Sequence, residues 1–521
     1  MTIADITLHG WMLRRCNRTP HREAMRYQGL SLTYAQVEQR ILACAEQLHE
    51  LGVGRGDRVA FLDLNNASFF VALFATSRLG AIFVPINFRL TASEIAYILQ
   101  DSEPHALIVG HEHHGLATDA LTISAAPPPA LLSADDDAPQ FPALRTEPAG
   151  APIADPSTSP EEPALLMYTS GTTGRPKGAT LSHENVWWNN INGFHSFDVV
   201  ADDVTLLVMP IFHIGALNTL GLSTLQKGGV LVIERRFEPV DTLQCLVDHQ
   251  VTTMMGVPTA FQAMADLPQF DAADLSHLRL LICGASPCPI STLNQYADRG
   301  LTMVQGWGMT EAAPVVTFLT EEFARQKVGS AGNPVLLCDV RLMDNSGRIV
   351  TEPFDKGEAQ VRGPNVMLGY WRNPTATTES FTEDGWFRTG DIAYADDDGF
   401  YFIVDRAKDM IISGGENVYS AEVEAALQQH PDIVEVAVVG YPDPKWGESV
   451  AAVAALSDGT TLSIAELRTW AADRLARYKL PRKLFVVDAL PRNATGKLLK
   501  YQIRQATTDG PLPEALTSAH S

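Results

Sequence analysis

The chain has 521 residues, 45% of them hydrophobic and 19% charged, so global disorder is excluded and about two to four domains are expected. Acidic residues outnumber basic ones by 61 to 39. The resulting net charge of −22 disfavours nonspecific binding to nucleic acid or anionic membranes, so any polyanionic ligand must meet local basic groups.

The first part of the chain predicts helices that alternate with strands. Residues 31–51 carry apolar side chains at helical spacing and predict an amphipathic helix that ends at Gly52. Thr91 and Glu94 have the spacing of a capping box for a helix over 92–101. The other elements predicted here are strands at 58–62, 81–86 and 106–109 and a helix at 67–79. This alternation predicts a parallel α/β sheet with right-handed crossovers.

Between about 115 and 163 the composition shifts to Pro, Ala, Asp, Ser and Thr, which predicts a loosely structured crossing. His111, His113 and His114 lie just before it. No cysteine or suitably spaced carboxylate completes a metal-ligand set nearby, so we expect a solvated loop rather than a metal site at these histidines.

The alternation resumes from 164 to about 340, and ligands of such sheets bind beyond the carboxyl ends of the strands. Past 335 the pattern becomes β-rich and predicts a smaller β subdomain. The predicted fold class is therefore α/β, with parallel sheets and the β subdomain in a large N-terminal domain, residues 1–404. A hinge at 405–409 and a small mobile α+β C-terminal domain at 410–521 are expected to follow.

One loop, which follows a strand ending near Tyr168, is rich in glycines and hydroxyls. Glycines let a backbone approach a ligand closely, and hydroxyls together with basic side chains bind anionic oxygens. Pro176 and Gly178 stand where a Walker-type loop needs a glycine and a Ser or Thr, so that motif is absent. Taken alone, a phosphate loop and a glycine-rich surface turn are equally acceptable. The candidate phosphate ligands are Thr169, Ser170, Gly171, Thr172, Thr173, Gly174 and Lys177.

A second stretch, 305–311, carries groups that suit a nucleotide and its metal. Trp307 lies between glycines and can stack on a purine. Thr310 and Glu311 supply a hydroxyl and a carboxylate that suit phosphate and magnesium. A helix cap formed by Thr310 is the structural alternative.

Three later stretches also end in turns that display polar groups. In 385–391 a turn presents Asp391, which can accept hydrogen bonds from ribose hydroxyls, although an Asp in a turn is equally ordinary. The stretch 405–417 begins with charged residues and ends in a glycine turn. The stretch 490–500 displays Lys497 near the C-terminus, where a lone lysine is normally solvated.

Together, in this order and at these separations, the five stretches resemble the adenylate-forming family of acyl- and aryl-CoA synthetases, luciferases and peptide-synthetase adenylation domains. The resemblance runs from Leu32 to Lys497 and is closest to bacterial fatty-acyl-CoA and hydroxycinnamoyl- or feruloyl-CoA ligases. It implies ATP, Mg²⁺ and coenzyme A as cofactors or co-substrates, and an active site in a cleft between two domains. The resemblance further implies two half-reactions, in which a carboxylate would first attack the α-phosphorus of ATP to give acyl-AMP and pyrophosphate, and the CoA thiol would then give acyl-CoA and AMP.

The resemblance also implies a role for each site residue. Lys497 would bridge the carboxylate and the α-phosphate, where negative charge develops, as the main catalytic residue. Thr310 would bind the α-phosphate and Glu311 would hold Mg²⁺. His213 would border the acyl carboxylate and gate the pocket, with a satisfied core histidine as the equal alternative. The implied nucleotide contacts are Gly284, Ala285, Ser286, Trp307, Asp391 and Arg406.

For the second half-reaction the resemblance implies rotation about Lys408, which withdraws Lys497. The turn at Gly414 and Gly415 would then line a pantetheine tunnel, and Trp446 would lie beside CoA unless it only packs. The basic side chains implied to meet the CoA phosphates are Arg477, Lys479, Arg482 and Lys483. The residues implied to contact the acyl group are Met255, Val257, Ala285, Gly308 and Met309.

Three functions compete at this point. The favoured one is an ATP-dependent carboxylic acid:CoA ligase acting on a medium- or long-chain fatty acid or an aryl or hydroxycinnamic acid. An enzyme that loads a carrier protein is the second, and a nucleotide-binding module without catalysis is the third. Retention of Lys497 and Glu311 argues against the third, and Trp446 argues against the second.

The remaining expectations concern surroundings and assembly. Six cysteines without a Cys-x-x-Cys pair indicate neither a disulfide framework nor a zinc site and favour a reducing, cytoplasmic setting. The start lacks the features of a secretory signal, and no apolar run approaches the roughly 18 residues of a spanning helix. A homodimer is expected on general grounds.

Overall fold

The computed structural model describes residues 5–134, 140–150, 153, 157–169, 176–284, 288–344, 346–413, 416–492 and 498–508. Several predicted site residues therefore lie outside the described residues: Ser170, Gly171, Thr172, Thr173, Gly174, Ala285, Ser286, Gly414, Gly415 and Lys497.

Helices and strands alternate through most of the described chain. The α-helices are α1 Leu8–Arg18, α2 Tyr34–Glu50, α3 Ala67–Arg78, α4 Ala92–Ser102, α5 His114–Ile123, α6 His183–Ser196, α7 Leu222–Lys227, α8 Pro239–Asp248, α9 Pro258–Ala265, α10 Ile290–Asp298, α11 Glu321–Ala324, α12 Pro374–Ser380, α13 Ser420–Leu427, α14 Ile464–Ala471 and α15 Lys500–Thr508. Short 3₁₀ turns occur at His111–His113, Phe270–Ala272, Thr310–Ala312 and Arg477–Lys479, and a π-helix at Ala216–Gly221.

The strands, in chain order, are β1 Glu23–Tyr27, β2 Leu30–Thr33, β3 Arg58–Leu62, β4 Ile82–Pro85, β5 Ala106–Val109, β6 Ala130–Ser133, β7 Pro163–Thr169, β8 Lys177–Ser182, β9 Val204–Leu207, β10 Val230–Ile233, β11 Thr253–Gly256, β12 Leu280–Cys283, β13 Met303–Gly308, β14 Val315–Leu319, β15 Asn333–Pro334, β16 Asp339–Met343, β17 Gly357–Arg362, β18 Gly369–Tyr370, β19 Phe387–Ala395, β20 Tyr401–Arg406, β21 Ile411–Ser413, β22 Glu416–Val418, β23 Ile433–Asp443, β24 Gly447–Leu456 and β25 Lys483–Val487.

The chain divides into two compact units. The first comprises Met1–Val340, Gln360–Arg388 and Gly399–Tyr401, and the second comprises Arg341–Ala359, Thr389–Asp398 and Phe402–Ser521. The boundaries expected from the sequence, with a hinge at 405–409, stay a prediction, because compactness alone does not say which residues move together.

Two sheets build the first unit. One has seven strands in the order β18-β8-β7-β4-β3-β5-β6, and the other has nine in the order β15-β14-β13-β12-β11-β9-β10-β1-β2. Neighbours such as β3 and β4, or β11 and β12, run parallel, whereas β8 and β14 pair antiparallel with β7 and β13. The predicted α/β class with parallel sheets is therefore confirmed.

Helix α3 shows why this unit has a large core. Its sequence is apolar almost all round, and Phe69, Phe70 and Phe74 are at most 2% exposed. A helix without a polar face must be covered on all sides, and here it lies in a cluster that includes residues of both sheets, such as Phe83 and Leu231. This packing fixes the two sheets against each other and so fixes the strand ends that carry the site residues.

The smaller sheets follow later in the chain. Strands β16, β17, β19 and β20 form a four-stranded sheet, as the β-rich pattern predicted, and the second unit also contains a sheet in the order β22-β21-β24-β23 with β25 on β24. Within the described residues no helix is long and apolar enough to cross a bilayer.

Two local expectations need correction. The helix predicted over 31–51 begins only at Tyr34, because Leu30–Thr33 pairs with β1 and Thr33 caps α2 through a capping box. The loop expected at the three histidines is instead a 3₁₀ turn followed by α5. His113 is buried 3.3 Å from Asp63, and the buried His114 ring lies 3.3 Å from the Ser133 hydroxyl, so these rings pack inside rather than meet solvent.

Candidate active site

The predicted phosphate loop is closed by an antiparallel hairpin. In the pairing of β7 with β8, Thr169 lies directly opposite Lys177, and Leu165, Leu166 and Met167 of the stem are buried. The Tyr168 hydroxyl donates to Asp101 Oδ2 at 2.6 Å and ties the stem to α4. The two predicted ligands that flank the loop, Thr169 and Lys177, are thus held on a rigid base.

Glu311 lies on the 3₁₀ turn that follows β13 and is held from two directions. Its backbone carbonyl accepts from the Met367 N–H at 2.8 Å, and its Oε1 accepts from the Tyr370 hydroxyl at 3.0 Å. Tyr370 belongs to β18, which pairs with β8 of the other sheet. The carboxylate is therefore oriented by a residue that the seven-stranded sheet supplies.

The same tyrosine brings Lys177 to Glu311. The Lys177 ammonium lies 5.1 Å from the centre of the Tyr370 ring, within the range of a cation–π contact. One phenol thus joins a cation that suits phosphate to a carboxylate that suits a metal ion. In the sequence Tyr370 is marked by little more than the glycine before it, and in the structure Gly369 has a φ of 143°, which favours glycine.

Trp307 and Gly308 lie at the end of a strand rather than in a turn. Trp307 pairs with Thr317 of β14, and the register shifts between Trp307 and Gly308. A Cβ on Gly308 would overlap the Pro314 carbonyl oxygen, so this close approach requires glycine. The residue that caps the following turn is Met309, with no side-chain bond, so the alternative that Thr310 serves as a helix cap is wrong.

A second group of predicted residues surrounds Met255. The Met255 methyl carbon lies 3.1 Å from the position that a Cβ on Gly284 would take, and 3.4 Å from that of Gly215. Gly215 follows His213 by two residues, so the end of β12 and the histidine loop meet at this methionine. The group therefore connects the predicted nucleotide and acyl contacts of the first unit.

His213 is neutral in this environment. Burial, with the positive charge of Arg89 as the second cause, lowers the pKa of His213 to about 4. Its ring centre is 4.2 Å from that of Phe212. Its Nε2 is buried and makes no hydrogen bond to any residue that the structure describes. Both interpretations of His213, a residue bordering the acyl carboxylate and a core histidine, stay predictions, and its Nε2 offers a donor or acceptor to a ligand.

In the second unit, Asp391 and Arg406 lie side by side. Asp391 Oδ1 is 2.6 Å from Arg406 Nε, and the Asp391 carboxylate is almost fully buried. Asp391 lies within β19, not in the turn that the sequence suggested, and Gly390 before it has a φ of 68°. Two residues expected at the ribose are therefore brought together by neighbouring strands, β19 and β20.

Further along the second unit, one residue of the expected basic cluster, Arg482, lies over Trp446 together with the neighbouring Lys445. The Arg482 guanidinium lies 5.3 Å from the Trp446 ring centre, and Lys445 lies 4.6 Å from it. A groove beside them is lined by Tyr441, Arg482, Lys483 and Phe485, among others. Lys479 is instead ion-paired with Glu422. Lys408, the expected pivot, is exposed, and its carbonyl accepts from Arg504 at 3.1 Å.

The metal-ligand groups of the first unit suit a magnesium ion that is bound together with the phosphates of a nucleotide. Among the described residues no group of three or more His, Cys, Asp or Glu side chains could hold a metal ion. Mg²⁺ is usually bound by one or two carboxylates together with substrate phosphates, so the single oriented carboxylate of Glu311 suits it. Mg²⁺ would there neutralise phosphate charge.

Family models match most of the chain. The AMP-binding enzyme model matches residues 12–371, and the model for the AMP-binding enzyme C-terminal domain matches residues 422–497. The chain belongs to the AMP-binding enzyme family. The resemblance to adenylate-forming enzymes is thereby confirmed.

Several members of this family that are similar over nearly their whole length are CoA ligases. Feruloyl-CoA synthase of Amycolatopsis sp is 44% identical over 500 residues, covering 96% of this chain and 98% of that protein. A long-chain-fatty-acid–CoA ligase of Mycobacterium tuberculosis is 38% identical over 502 residues, with 95% and 98% covered. O-succinylbenzoate CoA synthetase from Bacillus subtilis, solved with ATP and magnesium ion, superposes with a TM-score of 0.83 at 33% identity, covering 94% and 98%.

The chain is accordingly an AMP-forming acid:CoA ligase that uses ATP, Mg²⁺ and CoA. It forms an acyl-AMP first and an acyl-CoA second, with pyrophosphate and AMP as the other products. The reaction class expected from the sequence is confirmed.

Proposed function

We propose that this ligase acts on an aryl acid of the hydroxycinnamate type, with its first unit binding the ATP phosphates and the acid. The observation that carries the choice of acid is the identity with feruloyl-CoA synthase, 44% over 96% of the chain, against 38% for the fatty-acid ligase. A planar ring also suits the space beside Gly215 and Gly284, because neither carries a side chain and the Met255 thioether can contact an aromatic edge.

In this proposal Lys177 binds a phosphate of ATP and Glu311 holds the metal of the nucleotide. Support comes from their shared contact with Tyr370, whose ring centre is 5.1 Å from the Lys177 ammonium and whose hydroxyl is 3.0 Å from Glu311 Oε1. Thr310 binds the α-phosphate beside Glu311, and Trp307 and Gly284 frame the adenine. The loop from Thr169 through Ser170, Gly171, Thr172, Thr173 and Gly174 holds the leaving pyrophosphate, and Ala285 and Ser286 complete the adenine contacts.

The attacking carboxylate is ionised at neutral pH, so the adenylation step needs charge neutralisation more than proton transfer. Lys497 supplies that charge as the catalytic residue. His213, whose pKa is about 4, is neutral there and orients the acid through a hydrogen bond rather than through charge. Asp391 and Arg406 bind the ribose and its phosphate side, which their ion pair supports.

For thioester formation we propose that CoA contacts Trp446 and the basic side chains near it, while Gly414 and Gly415 line the pantetheine path. Arg482 lies over Trp446 and can meet a phosphate, whereas Lys479 is already engaged by Glu422. Lys408 is the pivot of the proposed hinge, 405–409, between domains 1–404 and 410–521.

The test is a panel of acids at fixed ATP, Mg²⁺ and CoA, with AMP release and thioester measured separately. Ferulate and related cinnamates should show a higher kcat/KM than fatty acids from C8 to C18. A higher kcat/KM for a fatty acid would overturn the choice of acid and favour the second candidate, a fatty-acyl-CoA ligase. Acyl-AMP that accumulates whether or not CoA is present would instead favour transfer to a carrier protein.

We also propose a cytoplasmic homodimer. The six cysteines are all free and buried, which suits a reducing compartment. Light scattering of the purified protein tests the dimer, and a mass equal to one chain of 56.7 kDa would refute it.

A further inference from the structure

Helix α15 begins three residues after Lys497 and carries two basic residues one turn apart, Lys500 and Arg504. Residues four apart share one face of a helix. Ile503 is fully buried among residues of β23 and β24, so the helix is fixed in rotation. Arg504 faces the segment 405–409, which contains the proposed pivot, and Lys500 faces α13, whose Ser420 contacts Asp405 of that segment.

Lys500 reaches this segment through a buried relay. Its ammonium donates to Ser420 Oγ at 2.6 Å and lies 2.8 Å from Glu424 Oε1. The Ser420 hydroxyl donates in turn to Asp405 Oδ2 at 2.7 Å. Asp405 Oδ1 accepts from the backbone N–H of Arg406 at 2.8 Å, so the relay ends at the residue proposed for the ribose.

Arg504 reaches the same segment directly. Its Nη2 donates to the Lys408 carbonyl at 3.1 Å and lies 3.5 Å from Asp409 Oδ1. The bond to a backbone carbonyl matters because a rotation about Lys408 changes the direction in which that carbonyl points.

The chain on the other side of Lys497 is also anchored. Arg492 forms an antiparallel bridge with Leu498, and the Leu499 N–H donates to the Pro491 carbonyl at 2.9 Å. Arg492 is also ion-paired with Glu435 of β23. Residues before and after Lys497 are therefore bound to the body of the second unit, and α15 links them to 405–409.

A purely stabilising helix anchor has no need of these charges. Replacing a buried ion pair with apolar residues of similar volume is often neutral or stabilising, so stability alone does not call for the largely buried Lys500–Glu424 pair. The pKa of Glu424 is raised by burial although Lys500 opposes the shift, in keeping with a carboxylate held in a dry site.

We propose that Lys500 and Arg504 are positioning residues, which set the catalytic Lys497 in register with Arg406 and Lys408 during adenylation. The inference rests on the proposed roles of Lys497, Arg406 and Lys408. Adenylation needs Lys497 and Arg406 on the same nucleotide, whereas thioester formation proceeds with Lys497 withdrawn. Loss of the link should therefore slow the first half-reaction selectively.

The test separates the two half-reactions in four variants. The double variant Lys500→Gln/Glu424→Gln removes both charges without leaving one unpaired, and Arg504→Gln breaks the second contact alone. Lys500→Arg keeps the cation, and Gln505→Ala alters an exposed residue of the same helix as the control. Adenylation is measured by ATP–pyrophosphate exchange, and thioester formation by conversion of supplied acyl-AMP with CoA.

We expect exchange to fall on the order of 10- to 100-fold in the double variant and in Arg504→Gln, as for a displaced catalytic group. Conversion of acyl-AMP should stay near the wild-type rate, and Lys500→Arg should recover most of the exchange. Equal loss in both half-reactions, or unchanged exchange, would overturn the inference. If the double variant does not fold, the more exposed Arg504→Gln decides alone.

The control for the proposed function is the wild-type enzyme. Absence of exchange with every acid in the wild type would contradict the assigned reaction itself. Active wild type and Gln505→Ala, together with equally active Arg504→Gln, would refute only the positioning role.

Discussion

Replacing Tyr370 by phenylalanine tests the core of the proposed metal site with the loss of a single oxygen atom. The phenol donates to Glu311 Oε1 at 3.0 Å, and its ring lies 5.1 Å from the Lys177 ammonium. Phenylalanine keeps the ring and therefore the contact with Lys177, since the cation–π attraction comes from the ring face. The substitution removes only the hydrogen bond that orients the Glu311 carboxylate.

The size of the effect follows from that one bond. A hydrogen bond to a charged group contributes about 1.5–3 kcal/mol, and loss of a partner that orients a metal ligand costs about 10- to 100-fold in metal affinity. The two ranges agree, because tenfold in an equilibrium constant is about 1.4 kcal/mol. We therefore expect Tyr370→Phe to raise the Mg²⁺ concentration for half-maximal adenylation by about 10- to 100-fold.

The assay is ATP–pyrophosphate exchange over a Mg²⁺ titration, with binding of MgATP measured separately by calorimetry. Exchange at saturating Mg²⁺ should approach the wild-type rate, since the metal ligand itself is retained. Tyr168→Phe is the matched control, because it removes a phenol that donates to another carboxylate, Asp101, at 2.6 Å. An unchanged Mg²⁺ dependence in Tyr370→Phe, or the same shift in Tyr168→Phe, would refute the reasoning.

Three further predictions address the second unit and the response to acid. Lys497→Ala should nearly abolish adenylation yet convert supplied acyl-AMP to thioester, and equal loss of both would contradict its assigned role. Asp391→Asn, which removes the charge beside Arg406, should raise KM for ATP by about 10- to 100-fold, the equivalent of one charged hydrogen bond. His183, whose pKa burial lowers to about 4, takes up a proton on unfolding between about pH 4 and 6.5, so stability falls as the pH drops through that range. Between about pH 4 and 6.5, His183→Asn should lower the slope of the unfolding free energy against pH by up to about 1.4 kcal/mol per pH unit. Unfolding free energies from urea titrations at several pH values measure this slope, and an unchanged slope would contradict the prediction.

The sequence predicted the fold class well because its signals are local. Alternating apolar strands and amphipathic helices determine a parallel α/β sheet, and the capping box at Thr91 and Glu94 is present as expected. His111 is exposed as expected, but the burial of His113 and His114 escaped this reasoning because their partners, Asp63 and Ser133, are distant in sequence. A polar composition there suggested solvent, whereas tertiary pairing buries the rings.

In the candidate site, too, residues with a local sequence signal were predicted and residues that depend on distant contacts were not. Glu311 and Lys177 stand out by residue type and glycine context, but Tyr370, which joins them, is a single aromatic on a two-residue strand. Likewise, Asp391 was assigned to a turn because Gly390 favours one, although the chain continues there as a strand. Residues that act by orienting others leave little pattern in a sequence, because their effect depends on contacts between elements.

The hairpin that bears Thr169 and Lys177 has a consequence for how this enzyme can vary. The pairing of β7 with β8 in its buried stem holds the two ends of the 170–176 connection together. The entropy cost of closing this loop is therefore part of the cost of folding the sheet. Closure entropy grows slowly with length, by about 0.6 kcal/mol per doubling. Changes in the length and composition of this connection therefore cost little folding stability, and selection on it can act almost wholly on the pyrophosphate binding that we propose for it.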